Sequence, residues 1–398
     1  MPSEDGWRPL TMVTSVTSAA TYPARSASRL LHAALPFTKK GATVLRKGKP
    51  AVEAAEGGLD QAELTAVRFR GKVGSSEQDP GRFFLMVSHG DPWAQRALIV
   101  HGLAGLHDAV GIVETDGLWP LSKGLPAVAT RGWRFSKRKQ LRSALSGCSA
   151  ELQHSARRGN LYMHDLYVTT EPEATGRVTI PCLWDSLVGK VLNNDSGDIV
   201  RILHQGLQNL GETGIDLFPP LLQDEIERVR QIVYGFNAGV YKCGFAPTPE
   251  AHQRALHETF SSLDACEALL ASRHFLAGDR LSEVDVLAFP TLVRFDCCYY
   301  TAFRCNRRRI RDYPNLSRYL EKLYSIKAFR DTVHMPTYVM THFIETTWRG
   351  RVMGTAIRLV EASVETVTGA ALPGASWLRR TVSRAITMPA RVLARVLT

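Results

Sequence analysis

An aspartate stands at a predicted helix start, directly after a short apolar segment. Residues 82–87 predict a buried strand that ends at residues 88–90, and Asp91 and Pro92 then fit a helix N-cap and first turn. A capping carboxylate at the positive end of a helix contributes on the order of 1 kcal/mol to stability. It is a poor nucleophile and cannot form a disulfide. The pattern therefore predicts a structural charge at this helix start.

The cysteines do not form a pattern with a recognised chemistry. No cysteine precedes residue 148 and no two are spaced as Cys-x-x-Cys; the seven are Cys148, Cys182, Cys243, Cys266, Cys297, Cys298 and Cys305. An odd, scattered set argues against a disulfide framework and favours a reducing compartment. Neither the Cys nor the His positions repeat a metal-ligand spacing, so we expect no metal. Cys182 is interpreted as a small buried side chain.

The positive charge is concentrated at the two ends of the chain. The 398 residues carry a formal net charge of +11, yet residues 51–345 hold 33 basic and 34 acidic side chains. Residues 1–50 and 346–398 each hold eight basic and two acidic residues. The division argues against a nucleic-acid-binding body. We therefore expect the ends to meet any anionic partner.

Each end has its own composition. Residues 1–50 are acid-poor and rich in Arg and Ser, which is typical of an organellar transit segment, although an unstructured basic arm fits as well. Residues 346–398 predict a basic amphipathic helical extension, suited to an anionic membrane surface or an acidic groove on a partner. Packing of these helices on the body is the alternative. Contact of the ends with ribosomal RNA is a further alternative.

The body changes from mixed to helical patterning near residue 205. Residues 51–205 follow the order strand, helix, proline-led strand, strand, helix, which predicts a thioredoxin-like α/β domain. Residues 206–345 predict an all-helical domain with helices over 222–240, 249–271, 282–299 and 316–325. Ser282 and Asp285 have the spacing of a capping box at one of these helix starts.

Five motifs in this order resemble the glutathionyl-hydroquinone reductases, the xi-class glutathione transferases. The resemblance spans about residues 69–333, and its motifs lie at residues 91–96, 132–135, 176–185, 237–246 and 292–306. It implies a thioredoxin-like domain followed by an all-helical glutathione-transferase domain, with glutathione as ligand or co-substrate. After residue 333 the similarity fades, and Tyr338, His342 and Phe343 stand in loose register with the family.

The resemblance also implies site residues. The positions that match the family's glutathione site are Trp133, Arg177, Ile180, Asp195 and Ser196, and those that match its hydroquinone pocket are Tyr241 and Tyr299. A cis proline after Ile180 would expose backbone groups to the tripeptide, and the helix start at Asp195 would hold its γ-glutamyl end. Core aromatics and an ordinary helix cap are the alternative explanations of these residues.

One position departs from the family. The resemblance places a nucleophilic cysteine where this chain has Asp91, so reductase chemistry is not expected. Two hypotheses follow: a non-catalytic binding or scaffold subunit of an organellar complex, attached through its basic ends, or an active glutathione-dependent transferase in which bound glutathione is the nucleophile. We expect a mitochondrial location, with a cytoplasmic one as the alternative. Homodimer formation is left open by both.

Overall fold

A four-stranded mixed sheet forms the centre of the first domain. The computed structural model describes residues 44–51, 66–74, 78–115, 132–135, 138–211, 214–335, 337–338 and 342. The strands that form this sheet are β3 (Phe83–Val87), β4 (Val110–Glu114), β6 (Cys182–Asp185) and β7 (Lys190–Asn193). Their order is β4-β3-β6-β7, with β3 parallel to β4 and the other neighbours antiparallel. The sheet fits the predicted thioredoxin-like domain, although the sequence analysis did not predict the parallel strand β4.

A small second sheet brings part of the amino-terminal segment into the fold. It contains β1 (Val44–Arg46), β2 (Lys49–Ala51) and β5 (Gly176–Arg177), and β1 pairs antiparallel with both β2 and β5. Leu45 in β1 is fully buried. Gly48 at the hairpin turn has a φ of +70°, and an added Cβ would lie 1.8 Å from the Pro172 carbonyl oxygen, so only glycine fits there. Placing residues 44–50 in a separate basic arm was therefore wrong; residues 1–43 lie outside the described part.

Five helices lie in the described part of the first domain. They are α1 (Pro92–Leu103), α2 (Arg138–Ala144), α3 (Ala150–Arg158), α4 (Met163–Thr170) and α5 (Ser196–Arg201), which continues as a π-helical turn, Ile202–Gly206. The predicted helix starts at Asp91 and Asp195 are confirmed, since each aspartate is an N-cap. The proline-led strand, which the sequence places over residues 177–184, is instead two strands: β5 ends at Arg177, β6 begins at Cys182, and the two belong to different sheets. The Ile180–Pro181 peptide between them is cis.

The second domain is helical, as predicted. Its helices are α6 (Gln223–Gly244), α7 (Pro249–Leu270), α8 (Glu283–Arg294), α9 (Pro314–Ser325) and α10 (Lys327–Arg330). α8 continues through a π-helical turn, Phe295–Tyr299. The predicted capping box of Ser282 and Asp285 is present at the start of α8. Within the described residues no helix is both long and apolar enough to cross a membrane.

Helix α1 lies between the sheet and the helical domain. All of its residues except Trp93 and Gly102 are buried, and its apolar side chains share one core with helices α6, α8 and α9. A second core lies on the opposite face of the sheet and includes Trp184 and Tyr167. The start of α1 is therefore held by both domains, and small movements of Asp91 are resisted from both sides.

Candidate functional site

Asp91 caps α1 through its side chain. One carboxylate oxygen accepts the N–H of Ala94 at 2.7 Å. The residue is half-buried and is surrounded by protein on most sides. Desolvation raises the pKa of this carboxyl group to about 6, against the hydrogen bond from the Ala94 N–H and the attraction of Arg294, which lower it. Near pH 6 the group is therefore half protonated, and near pH 7.5 it is mainly an anion.

Arg294 is the nearest strong cation from the helical domain. It is fully buried and donates through Nη1 to Gln95 Oε1 and to the Pro290 carbonyl oxygen, at 2.9 Å for the latter. Its guanidinium carbon lies 3.5 Å from the centroid of the Tyr338 ring. Gln95 in turn donates to Thr332 Oγ1 at 2.9 Å. The network fixes a positive charge beside the start of α1.

Arg96 is a second buried cation on α1 itself. Only 6% of its surface is exposed, and its guanidinium carbon lies 3.9 Å from the centroid of the Trp93 ring. Burial lowers its pKa to about 10, although the charge of Asp91 opposes this shift. Its Nη1 lies 3.5 Å from Ser196 Oγ. Arg96 therefore connects the start of α1 with the start of α5.

The start of α5 carries the two residues predicted for the γ-glutamyl end of glutathione. One Asp195 oxygen accepts the N–H groups of Gly197 and Asp198, each at 3.0 Å. The other oxygen lies 3.2 Å from Arg70 Nη2, and the Asp195 side chain is 41% exposed. Asn194, by bonding the backbone of residues 67 and 69, holds the segment that carries Arg70 against this helix start.

The remaining predicted glutathione residues lie along one side of the sheet. Arg177 is half-buried in β5, and its Nε is buried without a hydrogen-bond partner in the described part of the chain. Ile180 is buried directly before the cis proline. Trp133 is half-buried and packs against the core cluster that contains Ile180. A guanidinium with an unpaired Nε and the acidic α5 start suit a tripeptide with two carboxylates and an ammonium, so these residues fit glutathione.

Tyr241 and Tyr299 are neighbours in the helical domain. Their hydroxyl oxygens are 3.3 Å apart and their ring centroids 5.9 Å. Tyr299 is fully buried, and burial raises the pKa of its hydroxyl well above the usual value. His342 packs edge-on against Tyr299 at 5.0 Å, and burial lowers the pKa of this histidine to about 4. The predicted pair thus forms a neutral, aromatic wall.

Two buried cations link this wall electrostatically to Asp91. Arg96 and Arg294 each act on Asp91, Tyr241 and Tyr299. The start of α1 and the two tyrosines therefore share one electrostatic environment.

Sequence reasoning missed Arg96 and Arg294 as members of the site. Arg294 ends a nearly uncharged run in α8, residues 286–293, and a charge at the end of such a run is a signal of a buried, partnered cation. Arg96 offered no comparable signal, because its burial depends on the helical domain. Tyr338 and His342, which stand where the similarity fades, both contact the site; Phe343 lies outside the described residues.

Thiol and metal chemistry find little support in the described residues. Cys182 is fully buried, as predicted, and burial raises its pKa well above the usual value, so it is a poor nucleophile. No group of three or more His, Cys, Asp or Glu side chains within the described ranges could hold a metal ion.

Comparison with known proteins finds relatives over most of the body. Residues 249–322 match the family model of the glutathione S-transferase C-terminal domain. The chain is 38% identical over 280 residues to the glutathionyl-hydroquinone reductase PcpF of Sphingobium chlorophenolicum, covering 70% of this chain and 79% of that protein. It is 32% identical over 285 residues to the glutathionyl-hydroquinone reductase YqjG of Escherichia coli K12, covering 70% and 80%.

Solved structures agree with these relatives. A xi-class glutathione transferase from Natrialba magadii is 32% identical, with a TM-score of 0.66 over 78% of this chain and 92% of that one. The glutathione-bound structure of YqjG from Escherichia coli is 30% identical, with a TM-score of 0.60 over 70% and 90%.

Proposed function

The chain belongs to the glutathionyl-hydroquinone reductase family, the xi-class glutathione transferases, and from that premise we propose that it binds glutathione without reductase activity. The observation that carries the proposal is Asp91 at the N-cap of α1. The family resemblance places the nucleophilic cysteine at this position. A reductase of that kind must form a mixed disulfide with glutathione, and a carboxylate cannot do so.

Glutathione recognition is the part of the family function that the residues retain. Asp195 would hold the ammonium of the γ-glutamyl group, and Ser196, through its hydroxyl and its N–H, would hold its carboxylate. Arg177 has an unpaired, buried Nε, and pairing it with a ligand carboxylate would remove an unfavourable contact. Trp133 and Ile180 would line the same site. The bound relative named above makes glutathione the ligand to test first.

The protein on this proposal is a binding or scaffold subunit of an organellar complex. The support is compositional: two basic ends flank a body that is nearly neutral and that keeps its fold without its nucleophile. A mitochondrial complex is the proposed setting, reached through the transit-like segment. We propose that residues 346–398 bind an acidic partner subunit. Binding to the membrane surface or to ribosomal RNA would be an alternative result of the test.

A second candidate function follows from the surroundings of Asp91. Its raised pKa makes Asp91 a better base than an ordinary aspartate, and Arg96 and Arg294 act electrostatically on Asp91 and on both tyrosine hydroxyls. When bound, glutathione would supply a nucleophilic sulfur. Asp91 would accept the thiol proton, and Tyr241 would donate a hydrogen bond to the oxygen of a quinone-type electrophile. The protein would then be a glutathione transferase rather than a reductase.

The deciding experiment compares the wild-type chain with Asp91→Cys. Both are assayed for release of hydroquinone and glutathione disulfide from a glutathionyl-hydroquinone, and glutathione binding is measured by calorimetry. We expect glutathione to bind to both and only the variant to turn over. Equal turnover by the wild-type chain would reject the non-catalytic proposal, and glutathione adduct formation with a quinone would favour the second function. For the ends, unchanged co-sedimentation with organellar complexes after deletion of residues 346–398 would reject attachment.

A further inference from the structure

Two adjacent cysteines bring their sulfurs together in the π-helical turn that continues α8. The Sγ atoms of Cys297 and Cys298 lie 3.4 Å apart. Side chains one position apart in an α-helix do not face each other, because they diverge around the helix axis. A π-helical turn departs from that geometry and frequently marks a functional site. The turn Phe295–Tyr299 thus places two thiols in direct contact.

A third sulfur lies beside Cys297. The Sδ atom of Met335 is 3.8 Å from Cys297 Sγ. The segment that carries Met335 is fixed on both sides of it, since Thr332 accepts a hydrogen bond from a side chain of α1 and the Tyr338 ring packs against the Arg294 guanidinium. Met335 is therefore held next to the cysteine pair by contacts with both domains.

The three sulfurs differ in their access to solvent. Cys298 is fully buried, whereas Cys297 and Met335 are half-buried and pack at the edge of the main core. An ion can therefore reach the pair from the side of Cys297 and Met335 without crossing the core. An organic ligand needs more room than a contact between packed side chains provides, so the group suits a single ion.

The distances favour a bridging ion over a disulfide. A disulfide has sulfurs about 2.05 Å apart and Cα atoms about 4.4–6.8 Å apart, whereas the Cα atoms of adjacent residues are about 3.8 Å apart. With metal–sulfur bonds of about 2.3 Å, the value for zinc, two sulfurs on one ion lie about 3.8 Å apart in tetrahedral geometry and about 4.0 Å in trigonal geometry. The separations here, 3.4 and 3.8 Å, need only a small adjustment.

The chemistry of the donors selects the ion. Two thiols and a thioether are soft ligands, of the kind that binds Cu(I). Zn²⁺ usually takes four protein ligands in a structural site, and Ca²⁺ and Mg²⁺ take oxygen ligands. The group does not follow the Cys and His spacings typical of metal sites, because its cysteines are adjacent and its third ligand is a methionine.

We propose that Cys297, Cys298 and Met335 form a binding site for one Cu(I) ion. Binding converts the two thiols to thiolates, so two protons are released and neither the ion nor a sulfur changes its oxidation state. The site is independent of the proposed glutathione binding, because none of the three side chains is among the residues assigned to glutathione.

The first test is a titration of the full-length protein with Cu(I), without oxygen and in competition with the coloured chelator bicinchoninate. We expect the wild-type chain to hold one ion. Met335→Leu keeps the side-chain volume and removes the sulfur, so the affinity for Cu(I) should fall by about tenfold. Cys297→Ser should lower it by about 100-fold. Cys148→Ser changes a half-buried cysteine of the first domain and should leave the affinity unchanged.

The second test identifies the atoms bound to copper. X-ray absorption of the loaded protein should show sulfur neighbours at about 2.3 Å. After labelling with selenomethionine, a selenium neighbour should appear in the wild-type protein and be missing in Met335→Leu. Labelled wild-type protein without a copper–selenium signal would overturn the proposal. Equal Cu(I) affinity of the wild-type and Met335→Leu chains would overturn it as well, and so would loss of the ion in Cys148→Ser.

Discussion

Two aspartates cap two helix starts in the same way, but their surroundings differ. Asp91 and Asp195 each cap a helix of the thioredoxin-like domain by accepting backbone N–H groups. Asp195 is 41% exposed and forms an ion pair with Arg70 at the surface. Asp91 lies between two domains, where desolvation raises its pKa to about 6 despite two buried arginines.

The difference separates a residue's role in folding from its chemistry. At Asp195 water solvates the carboxylate, so its charge remains available to a ligand ammonium. At Asp91 burial makes the ionised carboxylate unfavourable. The ionised cap therefore lowers the stability of the folded protein. Substitutions at Asp91, Asp195 and Arg70 test this contrast between the two aspartates.

The largest effect is expected from Asp91→Cys. A thiol at the N-cap of α1, near Arg96 and Arg294, should have a lowered pKa and act as a nucleophile. We expect glutathionyl-hydroquinone turnover to rise by about 100-fold or more over the wild-type protein. Asp91→Ser is the control, since serine caps the helix but is not a comparable nucleophile. Similar turnover by the cysteine and serine variants would show that the pocket no longer holds the substrate.

Changes at Asp195 should affect ligand binding next most strongly. Asp195→Asn keeps a capping side chain and removes the charge, so glutathione affinity should fall by about tenfold while stability changes little. Asp195→Ala should lose the same affinity and also about 1 kcal/mol of unfolding free energy, because two N–H groups lose their acceptor. Calorimetry and urea denaturation measure the two effects. An asparagine variant with unaltered affinity would remove Asp195 from the site.

Asp91→Asn should change how stability depends on pH. The folded pKa of Asp91, about 6, is above its usual value of 3.8, so its proton favours the folded state. The contribution is therefore fully present below about pH 4 and is lost as the pH rises through 6. Relative to the wild-type protein, the asparagine variant should gain on the order of 1 kcal/mol between pH 4.5 and 7.5. Parallel stability curves across this range, from denaturant titrations, would contradict the raised pKa.

The smallest effect is expected at Arg70. Its ion pairs with Asp195 and Asp198, at 3.2 and 2.6 Å, are about half exposed. Surface pairs of this kind contribute about 0.2–1 kcal/mol, so Arg70→Gln should lower the unfolding free energy by about 0.5 kcal/mol, and less in high salt. Arg228→Gln, which breaks another exposed pair, is the comparison. A loss above about 2 kcal/mol would mean that Arg70 holds the α5 start in place.

Local sequence signals predicted most of the fold. The helix starts at Asp91 and Asp195 and the capping box at Ser282 were predictable because capping depends on a few adjacent residues. Sequence reasoning did not predict that the chain divides into two strands near Pro181. It also did not predict that residues 44–51 join the sheet of β5. Both features depend on pairing between distant segments.

The candidate site was predicted less completely than the fold. Its individual residues came from the family resemblance, and the structure adds how Arg96 and Arg294 join them. Those two side chains come from α1 and α8, almost 200 positions apart, and their joint effect on Asp91 depends on burial between domains. Periodicity in one segment carries no information about a charge contributed by another.

On the proposed import into an organelle, the β1–β2 hairpin limits where the amino-terminal segment could be cut. Because Leu45 is fully buried and β1 pairs with β5, a processing protease that cut beyond residue 44 would remove a strand from the finished domain. A cut compatible with this fold therefore lies upstream of Val44, and β1 keeps its place next to β5, the strand that carries Arg177.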